Sequence, residues 1–140
     1  MLSEAAGQAT NLDWLLAGLV QRVPHTRSAV LLSSDGLAKA AHGLDDDGAD
    51  QLAAIACGLF SLARSAAGCF GASEMVRQVV AELDDTLLFV STAGCGAVLA
   101  VLAARGVDAG VLGYEMSQLV KSARPYLTTP ARQPIAADKP

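Results

Sequence analysis

Apolar positions recur along the chain with two different periods, and the switches between them separate eight elements. Leu12, Leu15, Leu16, Leu19 and Val23 fall at i, i+3, i+4, i+7 and i+11, the stripe of an amphipathic helix. Thr10-Asn11 opens this helix, Asp13 suits its positive end, and Pro24 closes it. Ser28-Ala29-Val30-Leu31-Leu32 reads as the centre of a strand over 27–33, and Ser34-Asp35-Gly36 turns it into a weaker, Ala-rich strand, Leu37 to His42. The acids Asp45, Asp46 and Asp47 start a second helix that runs to about Ala67 and stops at Gly68. A strand over Glu74–Leu83 follows, with Glu74, Gln78 and Glu82 as its polar positions. Asp84-Asp85 and Gly94-Cys95-Gly96 are the next two turns, flanking the apolar strands around Leu87–Val90 and Val98–Leu102. Asp108 caps a last helix, with Val107 and Leu112 as its hydrophobic staple, and Pro125 ends it. The order is α-β-β-α-β-β-β-α, and the short connections within the hairpins require an antiparallel sheet.

The stretch from Thr86 to Ala104 carries no charge and is long enough to cross a bilayer. Its central Gly-Cys-Gly and its Thr86, Ser91 and Thr92 fit two strands and a turn better, because strands covered on both faces also read as continuous apolar runs. No membrane span is expected. Composition adds exclusions. Of 140 residues, 52% are hydrophobic and 17% charged, too apolar for a disordered chain. The net charge is −4 with 4% aromatics, leaving neither a basic stripe for phosphates nor a platform for stacked bases, so nucleic acid is not an expected partner. Three cysteines and no positively charged leader argue against a disulfide framework and a signal peptide, so the cytoplasm is the expected compartment. Residues 1–10 read as a flexible start, 11–125 as one domain, and 126–140 as a disordered Pro-containing tail.

The middle helix is apolar around much of its circumference. Projected at about 100° per residue, Leu52, Ile55, Ala56, Leu59, Leu62, Ala63 and Ala66 form a wide stripe expected to cover the sheet. Ala49, Ala53, Cys57, Phe60 and Arg64 form a second stripe. Its small residues admit a close helix neighbour, which makes it the expected partner face. With the strand edge near Arg77 and Val79, this gives a candidate homodimer interface of Ala53, Cys57, Phe60, Arg64, Arg77 and Val79.

Catalytic chemistry finds no support in the residue spacings. Cys57 and Cys69, or His25 and His42, stand too far apart for the short ligand spacings of a metal site, and no cue pairs a cysteine with a histidine as nucleophile and base. Gly94-Cys95-Gly96 lacks the third glycine of a dinucleotide fingerprint and precedes a strand, and no phosphate-binding G-x-x-x-x-G-K-[ST] occurs. Asp84-Asp85 reads as a solvated turn. No catalytic residue, metal or cofactor is expected. Arg27, Arg64, Arg77 and Arg105 are the candidate cationic fingers toward a partner's phosphate.

The element order, with Ser28–Leu37 and Val98–Ala103 as its most telling phrases, resembles the roadblock (dynein light-chain) family over residues 11–125. It is most similar to the short actinobacterial-type members found beside a sensor kinase and a small Ras-like GTPase. The resemblance implies a roadblock/profilin-like α/β (α+β) sandwich: a five-stranded antiparallel sheet with the middle helix on one face and the terminal helices on the other. It further implies a homodimer built from the middle helices and third strands. The function so implied is that of a non-catalytic dimeric scaffold or regulator of a small Ras-like GTPase, within a complex that includes a sensor kinase. A small-ligand sensor domain is the alternative.

Overall fold

A computed structural model describes residues 2–94 and 96–127 and has the predicted element order. The elements are α1 (Leu2–Arg22), β1 (Thr26–Ser33), β2 (Ala38–His42), α2 (Asp46–Phe70), β3 (Gln78–Glu82), β4 (Thr86–Gly94), β5 (Ala97–Ala104) and α3 (Ala109–Leu127). The five strands form one antiparallel sheet in the order β2-β1-β5-β4-β3. β1 and β5 therefore lie inside the sheet. Their side chains alternate between two cores: Leu31, Leu99 and Val101 face α1 and α3, while Val30, Val98 and Ala100 face α2. Burial on both faces explains the uncharged run from Thr86 to Ala104, which is the β4–β5 hairpin and not a membrane span. Gly94 and Gly96, at φ +73 and +74, supply the left-handed backbone of its turn.

Four boundaries differ from the sequence reading. α1 is already helical at Leu2, well before Thr10-Asn11, so the segment read as a flexible start has helical backbone. α2 passes through Gly68 and ends where the Gly71 N–H bonds the Ala67 carbonyl at 2.8 Å, since one interior glycine costs a helix only about 1 kcal/mol. β3 spans only Gln78–Glu82, because the residues after the longer helix are needed as connection. α3 continues past Pro125 to Leu127, where in the last turn the missing N–H removes a single bond. The residues of the tail beyond Leu127 lie outside those described.

The caps follow the sequence. The Asp45 carboxylate accepts the Gly48 N–H at 2.8 Å, with Asp46 and Asp47 in the first turn of α2. Asp108 accepts from Gly110 and Val111 at 3.0 and 3.1 Å, and Val107 packs against the core cluster that holds buried Leu112. Gly43, at φ +83, turns the chain from β2 toward α2, and a β-carbon there would lie 2.5 Å from the Arg27 carbonyl oxygen. No other residue fits.

Candidate functional site

α2 touches all five strands, so it crosses the sheet rather than following a strand. Its 25 residues span about 37 Å, whereas five strands cover about 20 Å, so the helix outruns its support. Burial records the difference. Ala49, Leu52, Ala53 and Ala56 are buried against the sheet, and no residue from Cys57 to Phe70 is. The outer flank remains apolar, with Ile55 55% and Leu62 70% exposed, while Phe70, about five turns on from buried Leu52, is 90% exposed because no strand lies beneath it.

This mixes the two stripes assigned by projection: Leu52, Ala56 and Leu59 meet the sheet as expected, but other residues change sides. Ala53, expected at the partner face, is fully buried beneath the helix, and Cys57 and Phe60 are half-buried against the same sheet-facing cluster. Ile55 and Leu62, expected on the sheet, point away from it. The reason is steric: alanines at 49, 53 and 56 let the helix backbone sit close to the strands, which the bulkier Ile55 and Leu62 would prevent. The apolar arc of α2 covers about 220°, more than one face needs, and that width was the signal in the sequence for a second contact surface.

The two sheet edges are treated differently. At β2, the Asp13 carboxylate from α1 accepts the Ala41 N–H at 3.1 Å. Among the described residues no side chain bonds the backbone of β3. Val79 and Ala81 face α2, while Val80 is 51% exposed on the opposite face. Arg105 anchors the end of this edge: its guanidinium pairs with Glu82 at 2.6 Å and donates to the Leu83 and Asp84 carbonyls at 3.0 Å. Thus Asp84 takes part in a clamped turn.

The remaining candidates do not converge. Cys57, Phe60 and Arg64 line one cleft of about 340 Å³ between α2, the α2–β3 connection and the β4–β5 turn, with Glu74 also on its wall. The Cys57 thiol approaches the Ser34 carbonyl at 3.4 Å. Arg77 lines a different groove, on the α3 side of the sheet. Of the four candidate fingers, Arg27 donates to Thr86 Oγ1 at 3.1 Å and Arg105 is held by Glu82, whereas Arg64 and Arg77 have no ion-pair partner among the described residues. No group of three or more His, Cys, Asp or Glu residues suited to a metal occurs among the described residues.

Fold and surface together define a class: a profilin-like α/β sandwich with an apolar helix flank and an open sheet edge side by side. Residues 12–103 match the family model of the Roadblock/LC7 domain, and the chain belongs to that family. It is similar to the solved Roadblock/LC7 domain from Streptomyces avermitilis, with 70% identity over 84% of this chain and 98% of that one, and a TM-score of 0.82. The gliding protein MglB from Thermus thermophilus shares the fold at 16% identity, covering 86% of this chain and 90% of that one, with a TM-score of 0.75. Profilin IA from Acanthamoeba castellanii does so at 12% identity, covering 81% and 94%, with a TM-score of 0.52. No curated protein matches the chain.

Proposed function

We propose that this protein is a non-catalytic, dimeric regulatory module that binds a small Ras-like GTPase in a bacterial signalling complex. The observation that carries the reading is the uncovered apolar flank of α2 beside the open edge of β3. It occurs on the fold of a family whose members, as the resemblance implies, scaffold or regulate such GTPases. A two-fold axis at β3 pairs that strand with its own copy and joins the two sheets. The same axis sets Ile55 and Leu62 against their copies, in place of Ala53, Cys57 and Phe60. The composite surface of the dimer binds the GTPase, and the module shifts the partner between nucleotide states by binding the GTP form more tightly. The complex is cytoplasmic and includes a sensor kinase.

Titration calorimetry against the GTPase encoded beside this protein, loaded with GDP or with a non-hydrolysable GTP analogue, tests this reading. Binding that is tighter for the GTP analogue and lost in a monomeric variant is expected. Absence of heat and of co-elution with both forms contradicts the partner, and equal affinity contradicts the switch alone. The small-ligand sensor reading has one observation in its favour, the cleft beside Arg64 and Glu74, whose volume of about 340 Å³ suits a small molecule.

A further inference from the structure

On the sheet face opposite α2, α1 packs on β1 and β2, and α3 stands over β4 and β5. Neither helix covers β3, and a groove of about 470 Å³ runs beside α3, walled on the sheet side by Ser91 and Thr92 of β4 and by Arg77 and Gln78 at the start of β3. Buried Met116 and half-buried Val120 form its floor, and Gly113 and Ser117 keep the α3 wall low. Its rim carries three cations from two separate elements: Arg77 before β3, and Lys121 and Arg124 in the last turns of α3.

Three features of this rim stand apart from the rest of the surface. The protein has net charge −4, yet none of the residues lining the groove is acidic. Arg77, Lys121 and Arg124 are exposed and have no ion-pair partner among the described residues, whereas Arg22 and Arg105 each hold a glutamate. Favourable placement at the negative end of a helix accounts for Lys121 and Arg124 but not for Arg77, which belongs to another element. The α3 wall also lies outside the residues that match the family model.

We infer that this groove is a docking site for an acidic, amphipathic segment of a protein partner. Carboxylates of the segment meet the three cations, and its apolar side chains lie on Met116 and Val120 and along the ledge to Val80. A phosphate group is a poorer match, because phosphate sites converge donors on one point, while these cations are spread along an apolar floor. The groove lies on the sheet face opposite the α2 flank, and Arg77 is its lining residue next to the β3 edge proposed for the dimer.

Fluorescence anisotropy of the full chain provides the test, with a labelled helical peptide of Glu, Ala and Leu whose leucines form one stripe. Saturable binding that weakens with added salt is expected. Arg77→Glu/Lys121→Glu/Arg124→Glu should weaken it at least about tenfold, and the milder Lys121→Gln/Arg124→Gln by less. A peptide of equal charge with Ser for Leu should also bind at least about tenfold more weakly, which separates docking from simple ion attraction. Far-UV circular dichroism verifies that the variants fold. Four results overturn the proposal: no saturable binding, equal binding by the triple variant, equal binding of the leucine-free peptide, or displacement of the peptide by inorganic pyrophosphate alone. Loss of the dimer in Lys121→Glu/Arg124→Glu, whose residues lie on α3 and not on the β3 edge, also overturns it, by assigning the groove to a second copy of this chain.

Discussion

The two edges of the sheet have the same length and opposite fates. β2 and β3 are five residues each. β2 is tucked under α1, and Asp13 occupies one of its outward N–H groups. β3 has no such cover, and next to it α2 extends with Leu62 and Phe70 in solvent. An open edge alone is a liability that a charge or a proline usually blunts. An open edge beside an apolar helix flank puts two uncovered surfaces at one place, and in the proposed dimer a second copy satisfies both. On the proposed reading, the closed edge serves folding and the open edge serves assembly.

Substitutions can break this comparison from either side. Leu62→Asp is expected to have the largest effect, weakening self-association by about 3 kcal/mol, because the two-fold axis desolvates two carboxylates together. Sedimentation equilibrium should report the loss while the fold persists. Phe60→Asp should act in the other direction. It places a charge against the sheet-facing cluster and should lower folding stability by about 2 kcal/mol in urea unfolding, with association following only as folding fails. Asp13→Ala should cost about 1 kcal/mol by leaving the Ala41 N–H at the closed edge without its acceptor. Arg105→Ala should cost less than about 1 kcal/mol, since the pair with Glu82 is solvent-exposed, although it also releases two turn carbonyls.

Periodicity alone yielded the element order, the antiparallel sheet and the β4–β5 hairpin, because each strand run ends in a turn residue with a physical role, such as Gly94 and Gly96. The caps at Asp45 and Asp108 were equally plain. The element ends at Leu2, Gly68 and Pro125 were not, since single-residue signals are weak against the packing of a whole helix. Interface residues were harder still. Projection showed that α2 has two apolar surfaces but placed Ala53 on the outer one and Ile55 and Leu62 on the inner one. The actual facing depends on how closely Ala49, Ala53 and Ala56 let the helix approach strands brought from elsewhere in the chain. The groove beside α3 left no mark in the sequence, because Arg77 and Arg124 meet only through the fold.

The dimer through α2 and β3 is tested most directly by sedimentation velocity of the wild-type chain and Leu62→Asp at micromolar concentration. A wild-type dimer and a folded Leu62→Asp monomer are the predicted pair. A wild-type chain that sediments as a monomer throughout, or a Leu62→Asp chain that remains a dimer, contradicts the assignment.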